Sequence, residues 1–126
     1  MISICKVFTF EAAHSLPYHR GKCFNTHGHS YKLEIEVSGT PKKGRVPDKG
    51  MVIDFGELKQ IVNDLIIDHL DHTNLNDINF YNPTAENMVL KFSQVLKEGL
   101  TVAKSHVLLQ RVRLWETATC YAEWRR

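Results

Sequence analysis

The sequence has no long apolar run, no dense basic stretch and no internal repeat. Each absence excludes a class of protein to which the chain could otherwise belong. No apolar run is long enough to cross a bilayer, and the first residues do not have the basic, apolar and small-residue pattern of a secretory signal. The net charge of +2 over 126 residues excludes a general nucleic-acid coat, which needs a concentrated basic stripe. We therefore expect neither a nucleic-acid partner nor a membrane partner.

Cysteines are also few. Cys5, Cys23 and Cys120 are odd in number and widely spaced, which argues against a disulfide framework. We therefore expect a cytoplasmic location in which the thiols stay reduced and available for chemistry. A chain of 126 residues with 43% hydrophobic composition is expected to fold as one domain, spanning residues 1–126.

Hydrophobic periodicity predicts strands at both ends of the chain and two helices between them. Apolar residues recur at even positions from 2 to 14, which places His14 on the same face as Phe8, Phe10 and Ala12. A second alternation runs from 29 to 39, and MVIDF after a turn-rich connection reads as a short returning strand. Two final strands meet at a tight turn near Thr117.

Helix signals follow that short strand. Asp54 and Thr84 are expected N-caps of two helices with apolar residues at helical spacing. Strands separated by a block of helices predict an α+β fold, an antiparallel sheet with helices covering one face. The other face carries aromatic and charged residues, which suggests that it packs in an oligomer.

The stretch CFNTHGHSY holds the first candidate site. His27 and His29 lie two residues apart and so point to the same side of an extended strand. His14 ends the first strand, and an antiparallel neighbour can bring it alongside them. Three neutral histidines with one open position describe a catalytic zinc site, whereas structural sites have four ligands. The alternative is that His27 and His29 are ordinary loop histidines.

Cys23 lies four residues before His27, beside Lys22 and near Asn25. A nearby cation, either Lys22 or a bound metal, would favour its thiolate and make it a useful base or nucleophile. Two alternatives remain: a buried, inert cysteine, or a fourth zinc ligand that closes the site.

Two acidic residues are further candidates. Asp71 can orient the neighbouring His72 and fix its tautomer, or it can cap local backbone in a turn. Glu116 follows Leu114 on the apolar face of a strand, where a carboxylate needs a partner. It either pairs with an arginine or accepts hydrogen bonds from a planar ligand that presents adjacent N–H groups.

These motifs occur together in the order and spacing of a known family. The stretches FEAAHSLP, C-x3-HGHSY, IDFGELK, LDHTNLN, NPTAEN and WET resemble the 6-pyruvoyl-tetrahydropterin synthase family, from Phe10 to about Thr117. The four-residue step from Cys23 to His27 resembles the bacterial 6-carboxy-tetrahydropterin synthases of queuosine biosynthesis. The animal 6-pyruvoyl enzymes have a longer insertion there.

The resemblance implies a fold and an assembly. The family has the tunnelling fold, a four-stranded antiparallel sheet with two helices packed on one face. Its sheets join in a trimer, and two trimers stack into a homohexamer with active sites between subunits. The exposed sheet face would find its partner in such an assembly.

The resemblance also implies a role for each candidate. Zinc would be held by His14, His27 and His29. Cys23 matches the general base, and Asp71 and His72 match its relay partners, which could reach Cys23 across an interface. Glu116 matches the carboxylate that anchors the pterin ring, and Thr84 matches a threonine near the pterin. Ala85 stands where the animal enzymes have a second threonine.

The implied reaction converts 7,8-dihydroneopterin triphosphate to 6-carboxy-5,6,7,8-tetrahydropterin, with release of triphosphate and acetaldehyde. Such an enzyme is a lyase. One alternative is the same fold making 6-pyruvoyl-tetrahydropterin, and another is a non-catalytic zinc-binding relative. A third is a relative that cleaves dihydroneopterin phosphate, in which we expect a glutamate in place of Cys23.

Overall fold

The computed structural model describes residues 1–78, 82–104 and 106–126, and it has a five-stranded sheet covered by helices on one face. The strands are β1 (Ile2–His14), β2 (His27–Gly39), β3 (Thr73–Asn74), β4 (Leu108–Thr117) and β5 (Cys120–Arg125). The helices are α1 (Phe55–Val62), α2 (Asp68–Leu70) and α3 (Ala85–Ala103). A π-helical turn, Asn63–Ile67, joins α1 to α2, and short 3-10 turns lie at Lys22–Phe24 and Leu75–Asp77.

The sheet has the strand order β3-β1-β2-β4-β5. Strands β1, β2, β4 and β5 pair antiparallel, so the predicted four-stranded antiparallel sheet is present. The two-residue strand β3 is an addition that no periodicity could reveal, and it pairs parallel with Ala12 and Ala13 at the end of β1. The fold class is α+β, as predicted.

The alternation read from the sequence sets the two faces of the sheet. Phe8, Phe10, Ala12 and His14 are buried under the helices, and the odd-numbered side chains of β2 from Tyr31 to Val37 join them. Large apolar side chains from both helical segments complete the core, among them Leu58, Val62, Met88, Phe92 and Leu96. Burial of this apolar surface is the main stabilising term of the fold.

The opposite face of the sheet is charged and aromatic, as predicted, but its charges are paired within the chain. The Nε atom of Arg111 donates to Glu36 over 2.8 Å, and the Nε atom of Arg113 donates to Glu123 over 2.7 Å. The ammonium group of Lys32 lies 4.7 Å from the ring centroid of Trp115. These polar groups therefore have partners within one chain, and their charges alone do not require an oligomer.

The predicted strand at MVIDF is wrong. Residues 51–54 have no regular secondary structure. The backbone N–H of Lys42 donates to the carbonyl of Met51 over 3.0 Å, which ties this segment to the loop before it. Val52 and Ile53 are nevertheless buried. Their apolar character reflects packing against the end of the core, directly before a helix begins, and not pairing in the sheet.

Both predicted helix starts are confirmed. The Asp54 carboxylate accepts from the backbone N–H of Gly56, and the Thr84 hydroxyl accepts from that of Asn87. The π-helical turn crosses α3 very closely, since a Cβ added at Gly99 would lie 2.4 Å from Cδ1 of Leu65. Among the described residues, no helix is both long enough and apolar enough to cross a membrane.

The N-cap of α1 gives a test of this local structure. Asp54→Ala removes the acceptor for Gly56 N–H, so we expect a loss of about 0.5–2 kcal/mol in the free energy of unfolding, measured by urea denaturation. Glu98→Ala, at an exposed position within α3, should change stability by no more than about 0.5 kcal/mol. Equal stability of the two variants would contradict the capping role.

Candidate metal centre and the cleft beside it

Pairing between β1 and β2 brings three histidines together. The register places His14 opposite His27 and Ala12 opposite His29, so all three imidazoles lie on one side of the sheet at its end. The Nε2 atom of His14 is 3.0 Å from that of His27 and 3.1 Å from that of His29. His14 is fully buried, and the other two are half-buried.

Backbone carbonyls on the outer side fix the direction of two of these rings. Nδ1 of His14 lies 2.9 Å from the carbonyl oxygen of Pro83, and Nδ1 of His27 lies 2.7 Å from that of Asn25. A carbonyl only accepts, so each Nδ1 must carry the proton. Each Nε2 therefore points its lone pair into the cluster, which is the usual outer-shell arrangement of metal-binding histidines.

The two nitrogen–nitrogen distances from His14 to its neighbours suit a tetrahedral cation. Zinc–nitrogen bonds of about 2.0–2.1 Å at tetrahedral angles separate two ligand nitrogens by about 3.3–3.4 Å, close to the distances seen here. Lone pairs that face one another at 3.0 Å repel unless a proton or a cation lies between them. His14, His27 and His29 could therefore hold a metal ion, with a fourth position left open.

Burial favours the neutral form of two of these histidines. It lowers the pKa of His14 and of His29, and the nearby Glu116 carboxylate opposes this effect in both. Neutral imidazole is the metal-binding form, so both rings are ready to act as ligands at neutral pH.

Cys23 lies in the 3-10 turn that follows β1, and it is half-buried. Its carbonyl accepts from the backbone N–H of Leu16 over 2.8 Å, which ties the turn to the end of β1. Among the described residues, the ligand atoms that lie within 4.8 Å of one another come from the three histidines, without the sulfur of Cys23. This geometry does not support a fourth, cysteine ligand.

Cys23, Thr84 and Glu116 line one cleft of about 280 Å³ beside the histidines. The other wall residues are Leu16, His19, Ala85, Glu86, Cys120 and Tyr121. The structure thus brings together a thiol, a hydroxyl and a carboxylate that are far apart in the sequence. Such a concave site with a few convergent polar groups is typical of small-molecule binding.

Glu116 has the environment of a ligand-binding carboxylate. It is half-buried near the end of β4, and its Oε1 lies 3.6 Å from Nε2 of His29. In the described part of the chain, no lysine or arginine forms an ion pair with it. The arginines of β4, Arg111 and Arg113, pair with glutamates on the opposite face of the sheet. The structure therefore does not contain the arginine pair considered from the sequence.

Asp71 contacts His72, as considered from the sequence, but its backbone partner is Glu11 on β1 and not a group of its own turn. Its Oδ1 accepts from the backbone N–H of Glu11 over 2.9 Å and lies 3.0 Å from Nδ1 of His72. The Glu11 N–H is the main cause that lowers the pKa of Asp71. The backbone N–H of His72 in turn donates to the carbonyl of Glu11, and His72 has a left-handed φ of 60°. A non-glycine residue held in this region is often part of a functional site.

His72 does not meet Cys23 within one chain. Its exposed imidazole lines a second, open cleft of about 480 Å³, on whose wall His29 and Ser30 also lie. Cys23 lines the first cleft and not the second. The histidine cluster lies beside both clefts. His29 lines the second cleft, and Glu116, which is 3.6 Å from His29, lines the first.

Sequence reasoning missed several contributors to the site. The carbonyls of Asn25 and Pro83 carry no side-chain signal. Tyr31, whose hydroxyl lies 3.3 Å from Nδ1 of His14, could have been found, because it continues the alternation of His27 and His29. Cys120 faces the same cleft as Cys23, but only the pairing of β4 with β5 brings it there.

Comparison with known proteins adds a family to this geometry. Residues 3–126 match the family described as 6-pyruvoyl tetrahydropterin synthase. The chain is 43% identical to a putative 6-carboxy-5,6,7,8-tetrahydropterin synthase of Archaeoglobus fulgidus, over 94% of this chain and 90% of that relative. It is 37% identical to the 6-carboxy-5,6,7,8-tetrahydropterin synthase of Haemophilus influenzae, over 98% of this chain and 99% of that relative.

Two further similarities bear on function and fold. A dihydroneopterin monophosphate aldolase of Pyrococcus furiosus is 39% identical over 86% of this chain and 83% of its own length. Among solved structures, the 6-pyruvoyl tetrahydropterin synthase of Caenorhabditis elegans superposes with a TM-score of 0.82 at 28% identity. That similarity covers 99% of this chain and 95% of the other.

The histidine cluster gives a direct test of metal binding. His14→Ala removes the buried candidate ligand. We expect the zinc affinity of this variant to fall, relative to the parent protein, by more than the roughly 10–100-fold lost when an outer-shell partner is removed. The measurement is competition with a chromophoric chelator. The matched control is His69→Ala, which removes an exposed histidine of α2 and should leave affinity unchanged. Equal affinities in the two variants would contradict the assignment.

Proposed function

The chain belongs to the 6-pyruvoyl tetrahydropterin synthase family, and from that premise we propose that it is a zinc-dependent lyase of the 6-carboxy branch. Acting as one domain over residues 1–126, it converts 7,8-dihydroneopterin triphosphate and water to 6-carboxy-5,6,7,8-tetrahydropterin, triphosphate and acetaldehyde. The product would feed queuosine and other 7-deazapurine biosynthesis. The observation that carries the proposal is the cleft shared by Cys23, Thr84 and Glu116, beside three histidines that could hold a metal.

Glu116 is proposed to bind the pterin ring. Its carboxylate is half-buried in the cleft and forms no ion pair with a lysine or arginine among the described residues, so its oxygens can accept from an amino group and a ring N–H together. Paired, charge-assisted hydrogen bonds of this kind are strong and directional. Thr84 lines the same cleft at the start of α3 and contributes a polar contact there.

His14, His27 and His29 are proposed to hold zinc, whose Lewis acidity would polarise the side-chain hydroxyls of the substrate and acidify the adjoining C–H group. Cys23, as its thiolate, removes the proton from that carbon. His72, held by Asp71, moves protons on the other side of the substrate. Triphosphate then leaves by elimination, and cleavage of the side chain releases acetaldehyde.

The 6-carboxy reaction is preferred over its rivals on three grounds. Relatives 37–43% identical to this chain over nearly its full length carry that name. For a cleaving activity like that of the Pyrococcus furiosus relative, we expect a glutamate as the base, and this chain has Cys23 in the cleft. A non-catalytic zinc carrier would need the histidines alone, without Cys23, His72 and Glu116.

Product analysis tests the reaction directly. The zinc-loaded protein is incubated with 7,8-dihydroneopterin triphosphate, and the pterins are identified by mass spectrometry while acetaldehyde is measured separately. We expect 6-carboxy-5,6,7,8-tetrahydropterin and acetaldehyde in equal amounts. A pyruvoyl pterin without acetaldehyde would replace the proposal with the 6-pyruvoyl reaction. No turnover by a zinc-loaded protein would favour the non-catalytic reading.

A single substitution tests the role of Cys23. Cys23→Ala should keep the fold, zinc and substrate binding but lose about 10²–10⁴-fold in turnover, because a general base contributes that much. The matched control is Cys5→Ala, which removes an exposed thiol near Arg111 on the other face of the sheet. Zinc content and rate are measured on the same preparation. Loss of zinc in Cys23→Ala would indicate a ligand instead of a base.

Cys23 and His72 line different clefts, so we propose that a second copy of the chain completes the site within a homohexamer. Strand β1 pairs with β3 only at its last residues, which leaves residues 2–10 without a strand partner on that side in the described chain. Such a free edge can pair with another copy. Cys23→Ala and His72→Ala subunits, each inactive alone, should regain activity when co-expressed. No recovery would contradict a shared site.

The protein is proposed to work in the cytoplasm. All three cysteines are free thiols, and the reducing cytoplasm keeps thiols in that state. Fractionation of cells that make the protein tests the location, and recovery outside the cytoplasmic fraction would contradict it.

A further inference from the structure

Glu116 lies between the candidate pterin cleft and the candidate metal centre. It lines the cleft with Cys23 and Thr84, and its Oε1 is 3.6 Å from Nε2 of His29, the nitrogen that faces the cluster. It is not one of the residues whose ligand atoms lie within 4.8 Å of one another. The carboxylate therefore flanks the cluster on the His29 side without belonging to the tight ligand set.

The geometry brings this carboxylate near the position that a cation would take. Nε2 of His14 lies 3.0 Å from Nε2 of His27 and 3.1 Å from Nε2 of His29, so a cation held by these nitrogens would lie between the three rings. Because Oε1 of Glu116 is 3.6 Å from Nε2 of His29, the negative charge would lie close to that cation.

We infer that Glu116 is a component of the metal site as well as of the pterin cleft, where its carboxylate stabilises zinc bound by His14, His27 and His29. Three neutral imidazoles leave the two positive charges of the ion uncompensated, and Glu116 is the nearest negative side chain for which the structure gives a contact with them. Charge interactions are stronger in half-buried surroundings than in water. This inference rests on the proposed zinc site.

Glu86 offers a matched comparison. It is also a glutamate on the wall of the same cleft, in the first turn of α3. The structure gives it no contact with any of the three histidines. A change from carboxylate to amide at Glu86 therefore removes the same charge from the same cleft, but at a different place.

The experiment is a zinc titration against a chromophoric chelator with the parent protein, Glu116→Gln and Glu86→Gln. It is run near pH 8, above the ordinary histidine pKa of about 6.5, so that protons do not compete for the ligands. We expect Glu116→Gln to bind zinc about tenfold or more weakly, as outer-shell substitutions do. Glu86→Gln should stay within about twofold of the parent, since an exposed carboxylate with no contact to the three histidines contributes little. Circular dichroism checks the fold of each variant.

Each result decides between alternatives. Unchanged affinity in Glu116→Gln, or equal losses in both variants, would overturn the inference. Tighter binding by Glu116→Gln would also overturn it, since the carboxylate would then weaken the metal site. If Glu116→Gln does not fold, Glu116→Asp keeps the charge and should retain more affinity than Glu116→Ala. Failure of the parent to bind zinc would instead overturn the zinc site of the proposed function.

Discussion

The pairing of β1 with β2 is the constraint on which the rest of the site depends. One register sets His14 opposite His27 and leaves His29 on the same side two residues along. A slip by one residue would turn every β2 side chain to the other face, which would separate the ligands and expose the apolar residues from Tyr31 to Val37. The packing of the core and the assembly of the histidine cluster are therefore fixed by the same set of backbone hydrogen bonds.

The surrounding loops are attached to this strand pair by hydrogen bonds to its ends. The carbonyl of Pro83 accepts from His14, and the next residue, Thr84, caps α3 and lines the cleft. On the outer edge of β1, both backbone groups of Glu11 bond to Asp71 and His72. Strand β1 thus positions the candidate metal ligand His14, the start of α3 and His72 together. This arrangement explains how residues from separate motifs are held along one strand without a long-range covalent link.

Sequence periodicity was sufficient for the faces of the sheet and for the helix starts, because those features depend on local spacing. It placed His14 on the buried face and identified Asp54 and Thr84 as caps. It wrongly predicted a strand at Val52 and Ile53. Two adjacent apolar residues give the same sequence pattern whether they pair in a sheet or pack against the core from a loop. It also could not predict the contact between Asp71 and Glu11, since only the fold brings the backbone of Glu11 within reach of that carboxylate. Nor could it place Cys23 and His72 in separate clefts, because their positions depend on contacts far apart in the chain.

The central claim is that the three histidines hold a metal ion with an open position facing the substrate. The most direct measurement is the visible spectrum of the cobalt-loaded Cys23→Ala variant, which should bind the substrate without consuming it. The account predicts the intense absorption of four-coordinate cobalt, with bands that change when 7,8-dihydroneopterin triphosphate is added but not when inorganic triphosphate is added. The weak spectrum of six-coordinate cobalt, unchanged by the substrate, would contradict it.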